Sequence, residues 1–246
     1  MGDWQAYLRM REGMLHMVQE AKGRLSRDLG DIAGLCFEAG IGRMLPPELP
    51  AAALQELQTR WEKEAAKRHK EIVEEDRLER EHAEQQARLA TLGAAWGYHV
   101  WLARNDHGRT WSGGRLGDLS VPELNTPGLP ADVRDTVELI DVIWLDAATH
   151  DIVAAFEVEK STSIYSGILR LYDLAMSAPV CQEHLYLVAP NQREKEVVFQ
   201  LSRPSLAVAQ CLRPEYILFE DLVCNCAQMA RFGTGLSTLK KVSKRV

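Results

Sequence analysis

Two almost wholly apolar runs, residues 139–145 and 152–158, constrain the fold of this chain more than any other feature of its sequence. Continuous apolar runs of this length are typical of β-strands that are covered on both faces. The polar stretch between them, residues 146–151, is short enough to join two neighbouring antiparallel strands. The sequence therefore predicts a hairpin near the centre of a sheet that has helices on both sides.

Three carboxylates lie on this predicted hairpin. Asp141 interrupts the first apolar run, and Glu157 and Glu159 lie at the end of the second. A turn centred between Asp146 and Asp151 places Asp141 opposite Glu157 to within one residue, because paired positions of a hairpin are equidistant from its turn. Glu159 follows Glu157 by two residues and therefore shares its face of the sheet. We expect all three carboxylates at one end of the sheet.

Carboxylates that lie so close together predict a bound cation. Each raises the pKa of the others unless a positive charge lies among them. Oxygen ligands of this kind suit Mg²⁺ or Mn²⁺, which proteins usually bind through one or two carboxylates together with waters and substrate phosphate oxygens. Such an ion can activate water and neutralise the charge of a phosphoryl transition state. The simpler interpretation, solvated strand ends paired with Arg or Lys, is less favoured for three acids on one face of a core hairpin.

The region before the hairpin divides into two helical patterns. Residues 3–44 carry apolar positions near helical spacing, and Gly and Pro residues then interrupt the pattern. The second pattern, residues 50–96, has a charged centre with too few apolar residues for a sustained coiled coil. That centre is interpreted as a solvated helix between two parts of the chain, with a short dimer stalk as the alternative.

These patterns predict a domain organisation. We expect a helical N-terminal subdomain at residues 1–48, a charged connecting helix at 49–78, and a sheet-containing domain at 79–246. A homodimer formed through the N-terminal helices is the expected assembly.

One face of the second helix carries two polar residues. Leu78, His82, Gln85, Leu89 and Leu92 follow one another by three or four positions, which places them on the face that should meet a core. His82 and Gln85 are therefore candidates to support the acidic site, although His82 could equally be a core histidine with no further role.

Further elements follow from periodicity and turn residues. The sequence predicts a strand at residues 98–104 and a long loop at 105–135. It further predicts helices at 163–177 and from 191 to about 201, and strands at 183–189 and 216–220. Asn191 and Glu194 resemble a capping box at the start of the second of these helices. A helix, three strands, and then alternating helices and strands predict an α/β fold.

At this point the sequence resembles a known superfamily. Asp141, followed by Glu157-Val158-Glu159, resembles the signature of the PD-(D/E)XK, or restriction-endonuclease-like, nucleases. The strings FEVEKSTSIYSGILRLYDL and EHAEQQARLATLGAAWGYHVWLARND resemble a bacterial branch of it, over roughly residues 79–222. The resemblance implies a restriction-endonuclease-like mixed central sheet flanked by helices, with a helical N-terminal extension. It also implies a Mg²⁺- or Mn²⁺-dependent endonuclease that cuts DNA in restriction or another defence system.

The resemblance also implies catalytic roles on the hairpin. Asp141 and Glu157 would bind the metal. Glu159 stands where the family usually has lysine, so it would act as a general base or hold a second metal ion. Lys160, one position later, could instead supply the missing lysine. Glu81 resembles an additional family acid on the first helix, and Glu84 is an equally possible occupant of that position.

The helix after the hairpin offers substrate contacts. Ser166 and Arg170 are one helical turn apart and could bind a phosphate, with Tyr165 beside them. The tyrosine could also serve only to pack the helix. Gly167 would allow a close approach of backbone or substrate.

Composition limits the remaining possibilities. The net charge is −6, which counts mildly against DNA binding, and the basic tail at residues 240–245 is interpreted as a frayed terminus. No apolar run reaches the roughly 18 residues of a membrane span, and the N-terminus lacks the pattern of a secretory signal. We therefore expect a cytoplasmic protein that has no membrane partner and keeps its five cysteines reduced.

Two other functions fit the same residues. Glutamate in place of lysine fits a nuclease fold that binds DNA or assembles with a partner without cutting. The helical N-terminal region also fits a structural subunit that serves in assembly.

Overall fold

The computed structural model of the chain describes residues 51–160, 164–178, 184–204, 214–233 and 235–246, and the side chains from residue 63 onward. The chain divides into two compact units, Met1–Arg68 and His69–Val246. The sheet and the predicted site residues belong to the second unit. The predicted N-terminal subdomain, and with it the predicted dimer contact, lies outside the described residues.

Helices and strands alternate in the order expected of an α/β domain. The elements are α1 (Ala51–Ala95), β1 (His99–Leu102), β2 (Thr110–Trp111), β3 (Gly114–Arg115), α2 (Ala131–Val137), β4 (Val142–Leu145), β5 (Ile152–Val158), α3 (Ile164–Ser177), β6 (Leu185–Ala189), α4 (Glu194–Leu201), β7 (Glu215–Leu218), α5 (Phe219–Phe232) and α6 (Leu236–Leu239). The single long helix predicted at residues 50–96 is confirmed by α1.

Within the described residues, five strands form a mixed sheet in the order β1-β4-β5-β6-β7. The hairpin pairs β4 with β5 in antiparallel fashion, and β5, β6 and β7 run parallel to one another. Val142 pairs with Phe156, so Asp141 and Glu157 are the next positions beyond the last pair, and the register shifts by one residue between Trp144 and Leu145. The hairpin and the register predicted from its turn are therefore confirmed, which makes the fold a mixed sheet of the restriction-endonuclease-like kind.

Both faces of the hairpin are covered, as the continuous apolar runs require. On one face, Val142, Trp144 and Phe156 join a buried cluster with the second half of α1 and with α5. On the other face, Ile143 and Ala155 join a second cluster with α2 and α3. Every residue of β4 is buried. A carboxylate on these strands therefore reaches water only at the end of the sheet.

The predicted long loop at residues 105–135 is wrong in part. It contains a small hairpin of β2 and β3, two 3₁₀ turns (Arg104–Asp106 and Leu116–Leu119) and the helix α2. Leu116, Leu124, Leu129 and Val137 are buried, so its scattered apolar residues anchor the segment to the core. The turn-forming residues hid these short elements, because each is too short to show a period.

The predicted capping box at Asn191 is also wrong. The Asn191 side chain contacts the start of α5 instead, where Oδ1 accepts from the backbone N–H of Glu220 at 3.1 Å and Nδ2 donates to the Glu220 carboxylate at 3.0 Å. Asn191 thus caps a helix that follows it by almost thirty residues in sequence. This helix, α5, begins at Phe219 and cuts short the strand predicted at residues 216–220.

The basic tail is folded and not frayed. Lys244 forms an antiparallel bridge with Tyr216 on the edge strand β7 through two backbone hydrogen bonds of 2.8 and 2.9 Å. Arg245 Nε donates to the buried carboxylate of Glu215 at 2.6 Å. The tail therefore covers part of an exposed strand edge, which is a common way to protect such an edge.

None of the described helices combines enough length with enough apolarity to cross a bilayer.

Gly93 on α1 packs directly against Trp144 of the sheet. A Cβ atom at this position would lie 2.5 Å from Nε1 of the buried Trp144, whose indole N–H donates to the Leu89 carbonyl. We expect Gly93→Ala to lower the free energy of unfolding by about 1–3 kcal/mol, because the ring is packed and cannot move away. Urea unfolding measures this change. Gly108→Ala is the matched control, since open space surrounds Gly108, and an equal loss in both variants would contradict the expectation.

Candidate functional site

Asp141 lies at the end of the sheet, one residue before β4. Its side chain is 12 % exposed, and Oδ2 accepts a hydrogen bond from the backbone N–H of Val158 at 2.7 Å. The same oxygen lies 3.4 Å from His82 Nε2 on α1. The local bend before β4 therefore turns this carboxylate across the end of β5, between the helices of the two faces.

Glu157 is held by an arginine from the neighbouring helix. The Glu157 side chain is 1 % exposed, and Arg170 of α3 donates to both carboxylate oxygens, from Nε at 2.7 Å and from Nη2 at 2.6 Å. Paired donation from a guanidinium is among the strongest ways to compensate a buried carboxylate. Arg170, predicted to bind substrate, thus lies within the acidic site, and its side chain remains 28 % exposed.

Gly167 lets α3 approach the acidic residues. A Cβ atom at Gly167 would lie 2.5 Å from Glu159 Oε1 and 3.2 Å from Glu157 Cβ. Both glutamates therefore lie against the same turn of α3. The sequence predicted a close approach at this glycine, and the side chains that make it are those of the site.

The electrostatics agree with three neighbouring carboxylates. Burial, and then the charge of Asp141, raise the pKa of Glu157 well above its usual range, against the opposing hydrogen bonds from Arg170. Burial and Asp141 also raise the pKa of Glu159 to about 7, against the nearby charges of Arg193, Arg170 and His82. Oxygen donors whose negative charge is incompletely compensated are the donor set that a hard divalent cation prefers. The residues thus fit the expected Mg²⁺ or Mn²⁺.

A second set of potential ligands lies on the α1 side of Asp141. His82, Asp106 and Asp141 each offer one ligand atom, and these atoms lie within 4.8 Å of one another. Asp106 is 3 % exposed and accepts from Gln86 Nε2 at 2.7 Å and from Arg109 Nε at 2.6 Å. The α1 helix and the 3₁₀ turn after β1 therefore bring two further residues to the carboxylate that precedes β4.

Lys160 points to the charged part of α1. Its ammonium group is paired with the carboxylate of Glu79, which is also paired with Arg109. Burial, and then the charge of Arg109, lower the pKa of Lys160. The lysine predicted as a possible replacement at position 159 is thus engaged with Glu79 on α1.

The other predicted site residues lie at the margin. Glu81 faces solvent and pairs with Arg77 at 2.5 Å, and Glu84 accepts from the backbone and hydroxyl of Ser112. Neither of these contacts brings the α1 acids to Asp141. Gln85 is 5 % exposed. On α3, Ser166 is exposed, as is Tyr165, whose ring lies 5.3 Å from the guanidinium carbon of Arg203.

Sequence reasoning missed four residues of the site, which are Glu79, Gln86, Asp106 and Arg109. Glu79 and Gln86 are spaced three and four positions from His82, so helical spacing alone could have found them. Asp106 and Arg109 belong to the segment interpreted as a loop. No local pattern marks either residue as part of the site.

Comparison with known proteins gives one family. A family model described as the type II restriction enzyme NmeDI C-terminal domain matches residues 57–246. The type II restriction enzyme NmeDI of Neisseria meningitidis serogroup C is 27 % identical over 155 residues, which is 61 % of this chain and 44 % of that protein. The chain thus spans less than half the length of this relative. No solved structure matches the chain.

Asp141 places its charge beside two buried glutamates, so neutralising it should stabilise the fold. At pH 8 without divalent ions, Asp141→Asn should raise the free energy of unfolding by roughly 1–2 kcal/mol, as removal of one like charge does in a partly solvated site. Asp141→Ala should be about 1–3 kcal/mol less stable than Asp141→Asn, because alanine leaves the Val158 N–H without its acceptor. Urea denaturation tests both, and an asparagine variant less stable than wild type would refute the expectation.

Proposed function

The chain belongs to the family of the type II restriction enzyme NmeDI C-terminal domain, and on that premise we propose that it is a metal-dependent endonuclease of the PD-(D/E)XK type. Its proposed reaction is hydrolysis of DNA phosphodiester bonds in restriction. The observation that carries the proposal is the convergence of three buried acids, Asp141, Glu157 and Glu159, at one end of a mixed sheet. The relative's name supports DNA as the partner.

The acids suit a divalent ion. Asp141 and Glu157 are the proposed ligands of Mg²⁺ or Mn²⁺. When bound there, such an ion supplies Lewis acidity toward the phosphate and a lowered pKa for a water molecule. The raised pKa values of Glu157 and Glu159 support this assignment, because burial and the charge of Asp141 both disfavour the ionised carboxylates and a bound cation would favour them.

The surrounding side chains orient the site. The Val158 N–H and His82 hold the Asp141 carboxylate in place, and Arg170 fixes both oxygens of Glu157. Arg170 is partly exposed, so one edge of its guanidinium remains available to a substrate phosphate. Glu159 is the proposed general base, because its carboxylate lies beside Glu157 where the family usually has lysine.

Plasmid cleavage tests the proposal. Purified protein should cut plasmid DNA in the presence of Mg²⁺ or Mn²⁺ and not in EDTA. Asp141→Asn and Glu157→Gln should each lower the cleavage rate, because each removes the charge of a proposed metal ligand while preserving its shape. The decrease should exceed the roughly 10- to 100-fold loss that follows substitution of a residue that only contacts a metal ligand. Gel analysis of nicked and linear products measures the rates.

The matched control for this experiment is Asp118→Asn, which removes a carboxylate from an exposed position in the 3₁₀ turn Leu116–Leu119. It should cut as wild type does. Cutting by Asp141→Asn at the wild-type rate would refute the proposed active site.

Gly167 offers a separate test, because it touches the site without carrying a functional group. Gly167→Ala should slow cleavage by roughly 10- to 100-fold, because the new methyl group would lie 2.5 Å from Glu159 Oε1 and would push this carboxylate out of its position in the site. Stability should change by less than about 1 kcal/mol, because the gain in helix propensity opposes the steric strain. Cleavage rate and urea midpoint are measured together, with Gly108→Ala as control. Unchanged cleavage in Gly167→Ala would contradict the role given to Glu159.

A further inference from the structure

We propose that His82, Asp106 and Asp141 form a second divalent-cation position, which takes a first-row transition ion such as Mn²⁺ in preference to Mg²⁺. The position lies on the α1 side of Asp141 and is additional to the Asp141–Glu157 position of the proposed function. It concerns metal binding alone, so it can be tested without DNA and without cleavage.

The geometry suits one small cation. The three ligand atoms, an imidazole nitrogen and two carboxylate oxygens, lie within 4.8 Å of one another. Ligands on opposite sides of an ion of this size are roughly 4 Å apart. Only small rotations of the side chains are therefore needed to close the set around an ion. Each ligand comes from a different element, α1, the 3₁₀ turn after β1 and the start of β4, so the fold fixes the set.

Buried polar atoms at the same place support a ligand. His82 is 4 % exposed, and its Nδ1 has no hydrogen-bond partner in the part of the chain that the structure describes. Gln86 is fully buried with its amide nitrogen on Asp106, and its carbonyl oxygen likewise has no partner among these residues. Buried polar atoms are nearly always satisfied in folded proteins. Because the two residues contact Asp141 and Asp106 through their other nitrogens, water ligands of an ion bound there would give both atoms their missing partners.

The charge balance of the region points the same way. Among the described residues, its carboxylates are Glu79, Asp106, Asp141, Glu157 and Glu159. The cations paired directly with them are Lys160, Arg109 and Arg170. These carboxylates outnumber the cations paired directly with them, and the charges of Arg193 and His82 also act on Glu159. Arg170 already compensates Glu157, so the charge that remains lies toward Asp141.

The histidine decides which ion is preferred. Carboxylate and water ligands suit Mg²⁺ and Mn²⁺ alike, whereas imidazole suits first-row transition ions. A set of one imidazole and two carboxylates should therefore bind Mn²⁺ more tightly than Mg²⁺. The preference should depend on His82.

Counting bound Mn²⁺ tests the position. The electron paramagnetic resonance signal of free Mn²⁺ is followed as the ion is added to full-length protein without DNA, and Mg²⁺ is then added as competitor. His82→Phe and Asp106→Asn should each weaken Mn²⁺ binding at least tenfold, and His82→Phe should remove the preference over Mg²⁺. The matched controls are His69→Phe, on the exposed part of α1, and Asp118→Asn, which should both bind as wild type does.

Each outcome decides the proposal. Circular dichroism first establishes that the variants fold, and if His82→Phe does not fold, the nearly isosteric Asp106→Asn decides. Wild-type Mn²⁺ affinity in Asp106→Asn overturns the second position. The second position is also overturned if Glu157→Gln loses all Mn²⁺ binding while Asp106→Asn loses no Mn²⁺ binding. Binding that depends on His82 and Asp106 in a protein that cuts no DNA supports the position and refutes only the proposed nuclease activity.

Discussion

The burial of Glu157 is the constraint on which the rest of the site depends. A carboxylate that is 1 % exposed at the end of the central strand of a sheet is strongly unfavourable unless it is compensated. Compensation comes from Arg170 on α3, and the lack of a side chain at Gly167 leaves room for both glutamates where the helix meets them. One glycine and one arginine, three positions apart on the same helix, thus allow the acids to occupy the sheet. The residues that pack α3 against β5 are therefore also the residues that contact Glu157.

Local pattern was sufficient for the parts of the fold that repeat. The apolar runs predicted the hairpin, and its short turn fixed the register that places Asp141 opposite Glu157. Helical spacing predicted the length of α1 and the burial of His82. These features share a cause, because a period of two or of 3.6 residues is read directly from neighbouring positions. The acids of the hairpin were therefore found from sequence, while their roles in catalysis stay predictions.

Contacts between distant segments were beyond such reasoning. Asp106 reaches the site from a stretch whose glycines and polar residues are typical of a loop. Asn191 matched a local capping pattern but caps α5, because the parallel strands β6 and β7 bring the two helix starts side by side. The composition of the basic tail favoured a frayed terminus, but Arg245 donates a hydrogen bond to the buried carboxylate of Glu215 on β7. In each case one hydrogen-bonded partner, remote in sequence, determines the structure.

The glutamate at position 159 changes how the charge of the site is organised. A lysine there would place its positive charge against Glu157 on the same face, whereas Glu159 adds a third negative charge. The next residue, Lys160, is engaged by Glu79 on α1 and so compensates a different carboxylate. The positive charge at Glu157 comes instead from Arg170 on α3, whose side chain remains 28 % exposed. This end of β5 therefore carries only acidic side chains at positions 157 and 159, and the cation that compensates Glu157 lies on α3.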